Sequence, residues 1–327
     1  MALEIKDRVY GLQRIEEPVL AEIMETPAMQ RLKGVNQFGM PDRFYKLPGF
    51  TRYEHSLGVM LILRRLGADI EEQASGLIHD ISHPTFSHLI DWVIGNRERE
   101  DHQDRNLQRI VSQSEIPKIL SKHGLDPGRI TEIESHSLLE KPSPLLCADR
   151  FDYAIREFQM WAVPSIVDGC LEGLTDYQGQ MAFKGKRQAV MFANGYAKLQ
   201  REHWAAEEYM VRWELLAMAL KTALKEGIIR EEDFYSQDEE VIAKLAGSGN
   251  PGITNALRTL EEEPYLNLRG NRENPQFSLK KKFRHIDPHY LEDGKIFLLS
   301  ESDPGYKEFL ERQRQINERG IKVDLVE

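Results

Sequence analysis

Five of the chain's 10 histidines, His55, His79, His83, His88 and His102, fall within 48 consecutive residues. Two stand in apolar surroundings. His55 is followed by Leu57, Val59, Met60, Leu61, Ile62 and Leu63, and His79 is preceded by Ala74, Leu77 and Ile78. A buried imidazole beside a carboxylate such as Asp80 needs a partner that offsets its lost hydration. A metal ion is a common partner for several such groups at once. A lone His-Asp dipeptide carries little weight. The cluster, together with the later Asp149, points to a metal or acid–base site.

As ligands of one ion, His55, His79, Asp80 and Asp149 form a nitrogen and oxygen set. It lacks the thiolates of a structural zinc site. It suits one six-coordinate Mn, Fe, Co, Ni or Mg ion with open positions. Such an ion acidifies a bound water and polarises a phosphoryl oxygen. Histidines around it are acid and base candidates, because they titrate near working pH.

These residues need elements to position them. Residues 4–15 read as a short strand or hairpin with a Gly turn, and Pro18 opens a helical pattern. Thr26 reads as the cap of a helix from Pro27 through Leu32, and residues 39–51 as a loop. Helices are expected from about Glu54 to Leu66 and from Ile70 to Ile81. Pro84 should end the second near His83, and Ser87 should cap a next helix carrying His88 and Asp91. The chain then folds back and sets His83 and His88 beside the His-Asp pair. Residues 95–105 are a charged surface stretch. Helical patterns resume at 106–122, 129–140 and 145–157, and the last places Asp149, Tyr153 and Arg156 on one face. A small hairpin surrounds Gly179, and one or two long helices cover 190–226. A turn at 247–252 precedes a short helix to Glu262. Strands are expected at 283–286 and 295–299, and a charged helix at Gly305–Arg319. No internal repeat or low-complexity segment is visible.

The chain has 327 residues, enough for a full core without disulfides, so Cys147 and Cys170 read as free thiols in a reducing compartment. The first residues are charged from Glu4, no secretory leader is visible, and no apolar run is long enough to span a membrane. These features suggest a cytoplasmic protein with no membrane partner. The net charge of −10 argues against wrapping long nucleic acid. It leaves room for a small polyanion held by a few arginines. Lys280-Lys281-Lys282 reads as a solvated face, and Trp161, Trp204 and Trp213 as core. His123, His136, His285 and His289 are isolated and receive no role.

Three motifs now stand out: Arg52-Tyr53-Glu54-His55-Ser56-Leu57-Gly58-Val59, His79-Asp80-Ile81-Ser82-His83-Pro84-Thr85-Phe86-Ser87-His88, and Ala148-Asp149-Arg150-Phe151-Asp152-Tyr153. Together they resemble the HD-domain metal-dependent phosphohydrolases, and most of all their dNTP triphosphohydrolase branch. The likeness extends to Asp7-Arg8-Val9-Tyr10-Gly11, to Thr26 through Gly39 and, loosely, to Lys282 through Pro288. The resemblance implies a mainly α fold: an HD-domain helical bundle with small β-hairpins and a short α/β C-terminal appendage. We expect a catalytic core over 1–235 and a smaller region packed on it over 236–327. The resemblance also implies site roles. His55, His79, Asp80 and Asp149 would hold the metal, and Arg52 and His88 would contact the attacked phosphate. His83 and His102 would move protons or touch phosphate, with Asp91 orienting one histidine. Arg150 and Tyr153 would hold outer phosphates. Gln37 would reach the sugar, and Glu157 and Lys198 would complete the substrate-binding set.

The chain departs from the family pattern in places. His102 is followed by Gln103 where a glutamate is usual, and Arg150 replaces a common lysine. Glu157 replaces a sugar-reading aspartate, and Ala206 and Glu208 replace a sugar-packing tyrosine and a histidine. The resemblance implies hydrolysis of a nucleoside triphosphate or analogue, a small-molecule nucleotide, in a possible homo-oligomer. The alternatives are a nucleotide-binding sensor with little turnover and an HD phosphodiesterase or alarmone hydrolase.

Overall fold

The computed structural model describes residues 3–95, 97 and 100–326. Met1, Ala2 and the Asn96, Glu98 and Arg99 part of the charged stretch lie outside the described residues. An antiparallel hairpin, β1 (Leu3–Asp7) and β2 (Gly11–Ile15), leads into α1 (Pro18–Met24) and α2 (Pro27–Arg31). Next come α3 (Arg52–Arg65), α4 (Ile70–Ile78), α5 (Leu89–Val93), α6 (His102–Ser112), α7 (Ile116–Lys122), α8 (Pro127–Thr131) and α9 (Ala148–Glu157). Then follow α10 (Val167–Gly173), β3 (Leu174–Asp176), β4 (Met181–Phe183), α11 (Lys186–Leu199), α12 (Glu207–Lys225), α13 (Asp238–Ala246) and α14 (Pro251–Glu262). The chain ends with β5 (Leu268–Gly270), β6 (Phe277–Leu279), β7 (His289–Glu292), β8 (Lys295–Leu298), α15 (Leu299–Ser302), α16 (Pro304–Arg319) and β9 (Ile321–Leu325). The protein is mainly α, with small sheets.

Helix α3 explains the arrangement. Its residues from His55 to Leu63 are all buried, so it is apolar on every side and must be surrounded. Leu57, Met60 and Leu61 pack with α1, α4, α7 and α8, while Val59, Ile62 and Leu63 pack with α9 and α11. A third apolar cluster joins α5, α12, α13 and α14 with Phe277, Leu279 and Val323. Strands from either side of residue 236 share one sheet of order β3-β4-β7-β8, in which β4 and β7 run parallel. A second sheet has the order β5-β9-β6. No described helix is long and apolar enough to cross a membrane.

Local expectations hold where the signal is a cap. The Thr26 hydroxyl accepts from the Met29 N–H, and Pro27 opens α2. Thr51 and Glu54 form a capping box, so α3 starts at Arg52 rather than Glu54. Several expectations are corrected. Helix α4 stops at Ile78 and not Ile81, because Arg31 Nη2 takes the carbonyls of Ile81 at 3.0 Å and His83 at 2.6 Å and holds the chain in a turn. Ser87 does not cap α5. It lies in the left-handed region at φ 49°, and its hydroxyl donates to the Asn36 carbonyl at 2.6 Å.

The helix expected over 129–140 ends at Thr131, and beyond it the Leu138 and Leu139 N–H groups donate to Glu72. The span 190–226 is two helices, interrupted by a wider π-type segment at Gln200–Trp204. The strand expected at 283–286 lies instead at β7 and pairs with β8 across an Asp293-Gly294 turn. Neither β9 nor the short β5 and β6 was expected. Lys281 is not a solvated residue: it is buried, with its ammonium 3.4 Å from the centre of the Trp213 ring and 4.8 Å from that of Tyr209. Burial lowers its pKa to about 7.

Asp238 ties two separated loops together. It is buried, and its two oxygens accept from the Asn36 and Phe86 N–H groups, each at 2.8 Å. Asp238→Ala leaves two buried donors unpaired and should cost about 2–4 kcal/mol in denaturant unfolding. A loss under about 0.5 kcal/mol would contradict this role.

Candidate metal centre

The site is built from the ends of helices and the turn between them. His55 sits one turn into α3, His79 caps the end of α4, Asp80 follows it, and Asp149 lies in the first turn of α9. His55 Nε2 lies 2.9 Å from Asp149 Oδ1 and 3.6 Å from Asp80 Oδ2. His79 Nε2 lies 3.4 Å from Asp80 Oδ1 and 3.7 Å from Asp149 Oδ1. Ligand atoms of His55, His79 and Asp80 all fall within 4.8 Å of one another.

The residues fit a metal ion in three ways. His79 Nδ1 faces the Gly76 carbonyl at 2.7 Å, which leaves its buried Nε2 with no hydrogen-bond partner. His55 Nδ1 lies 2.8 Å from Asp152, so its Nε2 turns toward the cluster, where it meets Asp149 Oδ1 at 2.9 Å. The carboxylates already draw positive charge into the cluster. Burial opposes a charged His79, yet Asp80 and Asp149 raise it to about 9. Burial likewise opposes an ionised Asp80, and Arg52, His79 and His83 hold it well below the usual carboxylate range. A divalent cation satisfies the same negative charge that these protons satisfy.

Asp152 supports His55 and received no role from sequence. It is fully buried and accepts from Arg156 Nε at 2.8 Å and from the Tyr10 hydroxyl at 2.7 Å. Arg156 Nη2 donates to Asp7 at 2.8 Å, and Asp7 accepts from the Val9 and Tyr10 N–H groups. The available signal was the spacing of Asp149 and Asp152, three apart on one helix beneath a buried His. Gly58 makes room for this network, since a Cβ there would collide with Asp152 Oδ1 and Arg156 Nη2.

The other expected residues divide into two groups. Arg52 is buried against the cluster: its guanidinium donates to Asp80 at 2.6 Å, to Ser87 Oγ at 2.9 Å and to the Gln37 carbonyl at 3.0 Å. His83 Nε2 lies 3.3 Å from Asp80 Oδ1, and burial and the Arg52 charge lower its pKa to about 3. His88 meets His83 edge to face at 4.9 Å between ring centres. Its Nδ1 is 3.7 Å from Asp91, beyond hydrogen-bond range. The Gln37 side-chain carbonyl is buried without a partner. Tyr153 lies near His55 and shares a hydrogen bond with Tyr196.

The second group is engaged elsewhere. Arg150 donates to Glu140 at 2.7 Å and to the Lys141 and Leu145 carbonyls. Both Glu157 oxygens are taken, by His203 Nδ1 and Trp204 Nε1, each at 2.7 Å. Lys198 pairs with Glu202 at 2.5 Å, one turn along. His102 Nε2 lies 3.3 Å from the Tyr235 hydroxyl. The Gln103 side chain turns to Asp104.

Two outcomes are expected. Gly58→Ala should push Asp152 off His55 and weaken metal retention by about 10–100-fold, read as bound metal after dialysis; full retention would refute the support role. Asp91 is buried with both oxygens unpartnered, and burial followed by the Glu100 charge raises it to about 7. A carboxyl raised in the folded state keeps its stability below the unfolded pKa and loses it as pH rises through the folded one. Asp91→Asn should therefore gain stability relative to the parent between about pH 4 and 7 and hold that gain above it. Parallel melting curves across this range would count against a buried acid here.

Comparison with known proteins places most of these residues within a known domain family. The HD domain family profile matches residues 52–154. The uncharacterized protein YdhJ of Bacillus subtilis is 34% identical over 99% of this chain and 99% of its own length. The metal-dependent phosphohydrolase cns2 of Cordyceps militaris is 29% identical over 79% of this chain and 77% of its own. The deoxynucleoside triphosphate triphosphohydrolase SAMHD1 of Bos taurus is 36% identical over 38% of this chain, a stretch that is 24% of SAMHD1. With the HD domain profile matched over residues 52–154 and a relative matched from end to end, the chain belongs to the HD-domain family of metal-dependent phosphohydrolases.

Proposed function

We propose that the protein hydrolyses a nucleoside triphosphate or a related phosphorylated nucleotide. The observation that carries this reading is a carboxylate and imidazole cluster flanked by Arg52, His83 and His88. His55, His79, Asp80 and Asp149 would hold one divalent ion, with Mn, Mg, Co, Fe and Ni all compatible with the donors. That ion supplies Lewis-acid charge and lowers the pKa of a water in the site.

The chain's own residues do the rest. Arg52 would share its charge between Asp80 and a phosphate oxygen. His88 would give a proton to the leaving oxygen. Burial, then His83 and Arg284, hold it well below the usual histidine range, and the charge of an arriving phosphate is what protonates it. The orphaned Gln37 carbonyl needs a donor such as a sugar hydroxyl. The partial match to SAMHD1, a deoxynucleoside triphosphate triphosphohydrolase by name, supports a nucleotide. The engaged Glu157 argues that its sugar reading differs from the family pattern.

Incubation with Mn²⁺, Mg²⁺ or Co²⁺ and a nucleotide panel should release phosphate or polyphosphate. His79→Ala should abolish both release and metal binding. His88→Ala should keep the metal and slow turnover by about 10²–10⁴. Tight nucleotide binding with no turnover, unchanged in His88→Ala, would instead support the sensor reading.

A further inference from the structure

We propose that Arg284, with Lys282 beside it, binds the phosphate tail of the substrate, and that Glu100 occupies this place until substrate arrives. The inference rests on the phosphohydrolase reading and extends it to Arg284 and Lys282, which lie outside the matched span of 52–154. Arg284 lies in the extended stretch between β6 and β7, far along the chain from the metal ligands. The fold nevertheless brings it to them. Burial is the largest influence on His88, Tyr153 and Arg284 alike; behind it stand His83 for His88, Tyr196 for Tyr153 and Glu100 for Arg284. Arg284 bears on His88 and Tyr153, and Asp149 bears on Arg284. Lys282 also bears on His88. Arg284 also lines a cavity with Tyr196, whose hydroxyl bonds that of Tyr153, and the Tyr153 ring centre lies 6.2 Å from that of His55.

Glu100 is an unusual counter-ion. Its side chain is fully buried, yet it sits on a backbone with φ of 51°, a region that non-glycine residues rarely adopt. One of its oxygens accepts from Arg284 Nη2 at 2.5 Å, and the other is buried with no partner. After burial, its charge is also the main cause of the raised Asp91 pKa. The protein therefore holds a half-satisfied carboxylate against an arginine and near a second unpartnered acid. A phosphate offers Arg284 the same pair of oxygens and more charge. Moving Glu100 outward would also relieve its repulsion with Asp91.

The probe is inorganic tripolyphosphate, titrated calorimetrically into the full chain loaded with Mn²⁺, with thermal melting to check each variant. Arg284→Ala should weaken binding at least about tenfold, and Arg284→Lys should fall between, since it keeps charge and loses the planar fork. Glu100→Gln should bind more tightly than the parent. Equal affinity in the parent and Arg284→Ala, or no tripolyphosphate binding by the parent, overturns the inference. If Arg284→Ala does not fold, Glu100→Gln decides: unchanged or weaker affinity overturns it. The two readings fail separately. Nucleotide turnover with Arg284→Ala affinity unchanged removes this inference alone. Opposite shifts in the two variants without nucleotide turnover keep the anion site and remove nucleotide hydrolysis.

Discussion

The carboxylate of Asp152 is shut away from water, and the candidate metal centre hangs from it. It accepts from Arg156 and Tyr10 and meets His55 at 2.8 Å. A buried charge survives only when its partners are all in place, and losing one partner typically costs about 3–5 kcal/mol. These partners come from the β1–β2 turn, α3 and α9, so one ion-pair network locks three separated segments together. The same network decides which nitrogen of His55 faces the cluster. Fold stability and ligand geometry are therefore one constraint rather than two. The all-round burial of α3 follows from it, because the helix carrying His55 must lie between α4 on one side and α9 on the other.

A second constraint acts on the segment from His79 to His88. A helix would have carried these side chains around its axis and apart from one another. Instead, Arg31 binds the carbonyls of Ile81 and His83, the Thr85 N–H donates to the Phe234 carbonyl, and Asp238 holds the Phe86 N–H. Phe86 and Ser87 then adopt left-handed backbone at φ 59° and 49°. Such strain persists only where surrounding contacts over-determine it. Its product is a compact turn in which His83 and His88 face each other next to Asp80.

The charge distribution fits a small anionic substrate. The chain carries a net charge of −10, yet Arg52 lies at the cluster and Lys282 and Arg284 act on His88 beside it. Local cations in an acidic protein attract a small polyanion without favouring a long one.

Much of the centre is readable in the sequence because its signals are local. Histidines in apolar runs, a His-Asp pair, Pro84 as a breaker and Thr26-Pro27 as a cap each act within a few residues. So are the family and the mainly α fold, through three motifs whose residue types have few other uses together. What tertiary structure decided is who shares a charge with whom. Asp152 under His55, Arg31 on the turn, Arg150 on Glu140, Glu157 under Trp204 and Lys281 between two aromatic rings are pairings across the fold. Apart from Asp152, whose spacing from Asp149 shows along α9, no local pattern marks them, because a buried ion's partner is chosen by packing in space and not by spacing along the chain. The same holds for β5 and β6, three residues each, which form because β9 supplies the hydrogen bonds they lack.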